Sequence, residues 1–127
     1  MTVKEKNTPF VHLALLDNGI LVATYRRQKL LTLAMAKEIV QARLDFVGRD
    51  PRPILVINEG VMQMDKDARK WVSSGDGIVG VKASAVLAGP LSTWFIMSLI
   101  LQVERPPMPV RVCRKEDRAM AWLETFL

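Results

Sequence analysis

A run of four branched apolar residues, Ile54-Leu55-Val56-Ile57, constrains the fold of this chain more than any other feature. The run lacks the alternation of apolar and polar residues that marks a strand with one face in water, so it predicts a strand covered on both faces. Strands of that kind occur in parallel sheets with helices packed on both sides. The sequence therefore predicts an α/β fold.

Four further strands are predicted, two before this run and two after it. Residues 10–16 and 20–25 are rich in branched and apolar side chains, and residues 17–19, Asp-Asn-Gly, lie between them. Because Asn-Gly favours a type I′ turn, these two segments predict a hairpin. Residues 83–88 and 110–113 predict the last two strands.

Helical periodicity predicts four helices between and after the strands. Thr32 can cap the first helix and Gly48 can end it, while Asp65 can cap the second. Residues 91–103 predict a third helix and residues 115–127 a fourth. The first, second and fourth are amphipathic, with apolar residues that recur at helical spacing: Ala36, Ile39, Val40, Leu44 and Val47; Ala68, Trp71 and Val72; Ala119, Trp122, Leu123 and Phe126.

The element order is therefore β-β-α-β-α-β-α-β-α, in one domain that spans residues 1–127. Strands that alternate with helices imply right-handed crossovers, so the later strands run parallel with helices on the sheet, and the hairpin adds an antiparallel edge. The size of the chain fits this architecture, because 127 residues that are 50% hydrophobic can bury one core. We expect an α/β fold with a mixed sheet.

The scarcity of two residue types excludes several kinds of site. The chain has one histidine, His12, and one cysteine, Cys113, which rules out internal disulfides and Cys/His zinc clusters. We expect neither a metal nor a cofactor. A free cysteine with no visible signal peptide fits a reducing cytoplasm. Residues 75–80, Gly-Asp-Gly-Ile-Val-Gly, spell a dinucleotide loop but follow a helix instead of a strand, so they predict a helix exit and a tight turn.

Two kinds of partner are also excluded. The 18 Lys and Arg residues are interspersed with 13 Asp and Glu, so the net charge of +5 does not predict nucleic-acid binding. Residues 83–103 carry no charge, but Gly89-Pro90 divides them. The helix that remains spans about 20 Å at 1.5 Å per residue, which is too short for a bilayer core of about 30 Å. We therefore expect no membrane span.

Polar residues follow three of the predicted parallel strands. The carboxyl ends of such strands form the usual ligand crevice of an open α/β sheet, so these residues predict a site for a protein partner or a small anion. Helix capping and solvation explain the same residues without any ligand. The members of this predicted site are Asn58, Glu59, Asp65, Lys66, Ser92, Thr93 and Arg114.

The predicted helix at residues 91–103 is apolar in nearly every direction, which leaves part of its surface without a partner on the sheet. The residues that need this second partner are Trp94, Met97 and Leu101. Three environments satisfy them: a homodimer interface, burial within the domain, or the wall of a lipophilic cavity. We expect the homodimer, and we keep the other two environments as alternatives.

Enzymatic residues are sparse. General acid and base catalysis needs two carboxylates that share a cavity, and the sequence shows no such pair. We predict no catalytic residue. The alternatives are hydrolytic chemistry at Glu59 or thiol chemistry at Cys113, and either residue would have to lie in a cleft with a strongly perturbed pKa.

The order of elements, together with residues 55–65, Leu-Val-Ile-Asn-Glu-Gly-Val-Met-Gln-Met-Asp, resembles the STAS superfamily of sulfate-transporter and anti-sigma-factor antagonist domains and its SpoIIAA-like relatives. Four features are similar to a group of uncharacterised bacterial STAS/SEC14-type proteins: the hairpin, residues 64–69, the strand at residues 83–89 and the Pro-rich lead into a Trp-bearing last helix. The resemblance implies a non-catalytic protein-interaction domain, and some SEC14-type relatives hold lipids.

One departure from the family pattern bears on function. Anti-sigma antagonists carry a phosphorylatable serine at the helix start after Asp, where this chain has Asp65-Lys66-Asp67-Ala68. Lys66 can replace neither a hydroxyl nor a phosphate, so the phosphorylation switch is not expected here. We therefore expect a homodimeric STAS-like interaction domain, and the alternative is a SEC14-like binder of a lipophilic small molecule.

Overall fold

The structure is a computed structural model that describes residues 1–61, 63–88 and 105–127. The predicted helix at residues 91–103 lies outside the described residues. Within the described ranges the elements are β1 (Thr2–Asn7), β2 (Val11–Leu16), β3 (Leu21–Tyr25), α1 (Leu33–Val47), β4 (Arg52–Asn58), α2 (Lys66–Val72), a 3₁₀ helix (Gly75–Ile78), β5 (Val81–Leu87), β6 (Val110–Cys113) and α3 (Glu116–Glu124).

The six strands of the described residues form one sheet, in which the spatial order of the strands follows their order along the chain. β1, β2 and β3 are antiparallel, whereas β3 to β6 run parallel. β4 lies between two parallel neighbours, with Leu55 opposite Val22 on one side and Ala85 on the other. The predicted mixed α/β sheet is confirmed.

Strand β1 is absent from the sequence prediction. All six of its residues are exposed, so it carries no apolar pattern that could reveal it. Backbone pairing to β2 holds it in place, with Glu5 opposite Ala14 and Lys6 opposite Leu13. The prediction that the hairpin forms the antiparallel edge was therefore wrong, because β1 is the edge and the hairpin lies inside it.

The hairpin itself is confirmed, but its turn is not type I′. A type I′ turn needs positive φ at two residues, and here Gly19 has φ +95° while Asn18 does not have positive φ. The Gly19 N–H donates to the Leu16 carbonyl at 3.0 Å, and the Ile20 N–H donates to Asn18 Oδ1 at 3.1 Å. This three-residue loop needs one left-handed residue, and the glycine supplies it.

The predicted helix caps are confirmed. Thr32 Oγ1 accepts a hydrogen bond from the Met35 N–H at 3.3 Å, and Asp65 Oδ1 accepts one from the Asp67 N–H at 3.1 Å. Gly48 ends α1 with φ +78°, and its N–H donates to the Leu44 carbonyl at 2.8 Å. These short-range bonds fix where the two helices begin and where α1 ends.

Apolar cores lie on both faces of the sheet, and β4 contributes to each of them. Ile54 faces the side that carries α1, called here the α1 face, and Leu55 faces the side that carries α3, called here the α3 face. The fully apolar run predicted a strand covered on both sides, and the structure confirms it. The other buried core residues are Val11, Leu13, Leu21, Ala23, Leu31 and Ile39 on the α1 face, and Ile20, Ala83, Ala85, Cys113, Ala119 and Leu123 on the α3 face.

The glycine-rich segment after α2 forms a 3₁₀ helix, Gly75–Ile78, that packs directly against α2. A Cβ atom at Gly77 would lie 2.0 Å from the Trp71 carbonyl oxygen, so glycine is required for this close approach. The sequence predicted a helix exit and a turn here, and missed the 3₁₀ helix. Across the portions of the chain that the structure describes, no helix is long and apolar enough to cross a membrane.

Candidate functional site

Asn58, the first residue of the predicted polar site, uses its side chain to shape its own loop. Its Oδ1 atom accepts hydrogen bonds from the N–H groups of Gly60, at 2.9 Å, and Val61, at 2.6 Å. Its Nδ2 atom donates to the Val61 carbonyl at 3.2 Å. Asn58 therefore fixes the path of the chain after β4, and these bonds engage both polar ends of its amide.

The other described residues of the predicted polar site lie after β4, at the start of α2 and after β6. Asp65 caps α2, while Glu59, Lys66 and Arg114 are exposed. Arg114 follows β6, two strands away from the end of β4, which is roughly 10 Å at the usual strand spacing. Ser92 and Thr93 lie outside the described residues, so the anion or partner site remains a prediction.

The residues predicted to form an oligomer or lipophilic surface, Trp94, Met97 and Leu101, also lie outside the described residues. The homodimer interface and the pocket wall stay predictions for these three side chains.

A large cleft lies on the α1 face of the sheet, and Asn58 is the one residue of the predicted polar site in its described lining. Its volume is about 840 Å³. Known small-molecule sites occupy about 300–1,000 Å³, so the cleft has the size of a ligand pocket. Most of its described lining is apolar, from Leu13, Ala23, Ile39, Val40, Ile54, Val56, Val61, Met64, Val72, Val81, Val86, Pro106, Met108, Val110 and Val112.

The floor of the cleft follows from the two-residue period of its strands. Val56 on β4, Val86 on β5, and Val110 and Val112 on β6 all point to the α1 face. Ala85, which precedes Val86, and Cys113, which follows Val112, point to the opposite face and enter its core. Branched side chains thus cover the floor, while α1 and α2 supply the walls.

Arg43 is the most unusual wall residue. It projects from the buried side of α1 and is 7% exposed. Its Nη1 donates to the Val79 carbonyl at 2.6 Å and its Nη2 to the Gly77 carbonyl at 3.2 Å. Burial lowers the pKa of Arg43, and the nearby Tyr25 opposes this effect. Since arginine keeps its proton in proteins, the cleft has a positive charge in its wall.

A second arginine, Arg69 on α2, lines the same cleft. Its Nε atom is buried and has no hydrogen-bond partner. Leaving a buried donor unpaired costs about 1–3 kcal/mol, and more when the group is charged. The structure therefore carries an unfavourable polar atom in the wall of the cleft.

No acidic side chain balances these arginines among the described residues. The charged residues in the described lining are Arg43 and Arg69 alone. Among the described residues, the carboxylates within reach of a basic group are Asp17, beside the N-terminus, and Glu5, beside His12, and neither carboxylate lines the cleft. The described wall of the cleft is cationic and otherwise mainly apolar.

Tyr25 adds a hydroxyl to the lining at the end of β3. Burial raises the pKa of Tyr25, and the positive charge of Arg43 lowers it by a smaller amount. The phenol is therefore neutral near pH 7 and can donate a hydrogen bond. Asn58, Gln63, Ser73 and Ser84 complete the polar part of the lining.

The two residues considered for catalysis do not line this cleft, although Glu59 lies between the lining residues Asn58 and Gly60. Cys113 is buried in the core of the α3 face, where burial raises the pKa of its thiol more than Arg111 lowers it. A thiol with a raised pKa is a poor nucleophile at neutral pH. Glu59 is exposed on the loop after β4. Within the described residues, no group of three His, Cys, Asp or Glu side chains could hold a metal ion.

Arg43 is not among the predicted site residues, although its position in the sequence contains a signal. Position 43 lies three residues after Val40 and four after Ile39, so it falls on the apolar stripe of α1. A charged residue on the apolar stripe that faces the core breaks the pattern of the helix, and such a residue is a candidate functional position. Arg69 gives a weaker signal, because it is next to Ala68 on a short helix with several charges.

Comparisons with known proteins identify the fold and a family. A family model described as a domain of unknown function, DUF7793, matches residues 14–127. A crystal structure of an uncharacterized DUF3478-family protein with a SpoIIAA-like fold, from Shewanella loihica PV-4, is similar with a TM-score of 0.59. The two chains are 11% identical, and the similarity covers 94% of this chain and 98% of the other. No curated protein matches the chain.

Proposed function

This chain belongs to the DUF7793 family, and from the cleft on its SpoIIAA-like fold we propose that it is a non-catalytic domain that binds a lipophilic small molecule. The observation that carries the proposal is a cleft of about 840 Å³ whose described lining is mainly apolar, with most of the apolar side chains from Val, Ile and Leu. An apolar ligand bound against this lining would remove apolar surface from water, which is favourable. The resemblance to SEC14-type proteins agrees with this function.

The absence of catalysis is part of the proposal. Glu59 lies exposed on a loop, and Cys113 is buried on the face of the sheet opposite the cleft. Neither side chain lines the cleft. A cytoplasmic location also belongs to the proposal, since an unpaired cysteine fits a reducing compartment.

The proposed ligand replaces the protein partner as the main binding partner, and it does not depend on the expected homodimer. The cleft is present in a single chain, so ligand binding does not require a second copy. Dimerisation through Trp94, Met97 and Leu101 remains a separate prediction.

The proposal is tested with a neutral lipophilic fluorophore, N-phenyl-1-naphthylamine, titrated into the intact protein. We expect saturable binding with increased fluorescence. The variant Val86→Trp fills the floor of the cleft, so it should weaken binding about tenfold or more, which corresponds to ~1.4 kcal/mol. Lys82→Trp is the matched control, because Lys82 is exposed on the same strand and does not line the cleft.

Native mass spectrometry of the protein purified from its host provides the second measurement. An adduct of lipid-like mass that is lost in Val86→Trp and kept in Lys82→Trp would support the proposal. Fluorophore binding that is absent, or that is the same in both variants, would contradict it.

A further inference from the structure

The positive charge in the cleft points to one class of ligand. We propose that the cleft takes an apolar molecule that ends in a single oxyanion, a carboxylate or a phosphate, and that Arg43 and Arg69 bind this head group. This inference rests on the proposed function and specifies its ligand.

Arg43 has hydrogen-bonding capacity left for such a head group. A guanidinium carries five N–H donors, and the Val79 and Gly77 carbonyls accept from two of its nitrogens. Carbonyl oxygens satisfy donors but leave the net charge in place. With no carboxylate beside it among the described residues, the charge of Arg43 is available to an anion in the cleft.

Arg69 supplies the second, independent observation. It lies on α2 and Arg43 lies on α1, so the two walls of the cleft each carry one guanidinium. The Arg69 Nε atom is buried without a partner. An oxyanion between the walls would accept a hydrogen bond from this donor.

The position of the arginines orients the ligand. The Gly77 and Val79 carbonyls that hold Arg43 come just before β5, so Arg43 lies near the amino end of that strand. Val56 and Val86 lie further along β4 and β5, toward their carboxyl ends. The head group would therefore lie near the amino ends of the strands, and the apolar body would extend over the branched floor.

The experiment compares three molecules of equal chain length that differ only in the head group. Decanoate, decyl phosphate and decanol each displace N-phenyl-1-naphthylamine from the intact protein near neutral pH. We expect at least one of the two anions to bind about tenfold or more tightly than decanol. The anion that displaces the probe at the lower concentration identifies the head group.

Variants assign the preference to the arginines. Arg43→Met keeps the approximate length of the side chain without its charge, so the preference for the anion over the alcohol should fall. Arg43→Lys retains the charge and should retain part of the preference. Arg69→Met should also reduce the preference for the anion. Because the Nε atom of Arg69 has no hydrogen-bond partner, this variant loses no hydrogen bond at that atom. It therefore provides a second test if Arg43→Met does not fold.

Glu104 provides an internal control, because it is the one acidic residue in positions 89–104 and lies outside the described residues. Glu104→Gln should leave the preference for anions unchanged. If the wild-type protein shows no preference for the anions over decanol and Glu104→Gln does, the proposal is overturned. The Glu104 carboxylate would then be the partner of the arginines.

Equal displacement by all three molecules in the wild-type protein would overturn this inference and leave the proposed function standing. An unchanged preference in Arg69→Met would also overturn it. Failure of the neutral probe to bind would instead contradict the proposed function itself, so the two failures are distinguishable.

Discussion

At the scale of single residues, burial of ionisable groups determines how this protein responds to alkaline pH. Cys113 and Tyr25 both have pKa values that burial raises, from ordinary values of 9.0 and 10.0. Both groups are neutral when protonated, so burial favours the form that the folded state already holds near pH 7. Arg43 has the opposite character, because burial disfavours the charge that it carries.

We predict that stability falls as pH rises above about 9. Below the ordinary pKa of Cys113 the thiol is protonated in both states and adds no pH dependence. Above it the unfolded chain releases the proton first, so unfolding is favoured until the folded-state pKa is passed. One proton limits the slope to about 1.4 kcal/mol per pH unit.

Urea midpoints measured from neutral pH to about pH 10 check this prediction. Cys113→Ala should be less stable at every pH because it removes buried volume, yet its decline above pH 9 should be shallower than that of the wild type. Tyr25→Phe should affect only the later part of the decline. Parallel pH profiles for Cys113→Ala and the wild type would contradict the role of the thiol.

At the scale of elements, the contact between the 3₁₀ helix and α2 is the tightest constraint near the cleft. Gly77→Ala would place Cβ 2.0 Å from the Trp71 carbonyl oxygen, and that backbone atom cannot move without α2. We expect a loss of about 1–3 kcal/mol in the free energy of unfolding, as for other overpacked sites. Because the Gly77 carbonyl accepts from Arg43, the anion preference should fall as well.

Chemical denaturation of Gly77→Ala beside Asp76→Ala measures this effect. Asp76 is exposed on the same 3₁₀ helix, so its variant should stay within about 0.5 kcal/mol of the wild type. Equal stability of the two variants would show that the 3₁₀ helix can move away from α2 at no cost.

The sequence identified the elements that carry an apolar or capping signal and missed those held by other forces. Thr32 and Asp65 indicate helix starts because their side chains can cap a helix, and both do so in the structure. Residues 54–57 indicate a buried strand because all four are apolar. β1 is paired through its backbone, with exposed side chains that any loop could carry. The cleft could not be derived from the sequence, because its arginines converge only once α1 and α2 pack on the same face.

At the scale of the whole molecule, the family match begins at residue 14, inside β2. The edge strand β1 therefore lies outside the part of the chain that the family model matches. β1 covers the backbone edge of β2 and carries Lys4 and Lys6. Charged edge strands of this kind resist pairing with other sheets.

The oligomeric state is the remaining prediction at this scale. If residues 91–103 form a dimer interface, Trp94→Asp should convert a dimer to a monomer, because an unpaired carboxylate in an apolar interface costs several kcal/mol. Light scattering after size exclusion measures the mass. Leu30→Asp makes the same change of charge at a side chain that is 43% exposed, and it should leave the mass unchanged. A wild-type protein that is already monomeric, or a Trp94→Asp variant that remains dimeric, would contradict the interface.

The monotonic order of the strands has a consequence for where a ligand can bind. The usual crevice of an open α/β sheet forms at a switch point, where neighbouring strands send their connections to opposite faces. Here β3, β4 and β5 follow one another in both sequence and space, and α1 and α2, which connect them, contact each other on one face. That run of strands has no switch point, because its connections do not go to opposite faces of the sheet. The cleft lies on the face that carries these connecting helices and reaches the carboxyl ends of β3 and β4 at Tyr25 and Asn58. Changes on the helix surfaces can therefore alter its chemistry without disturbing the strands.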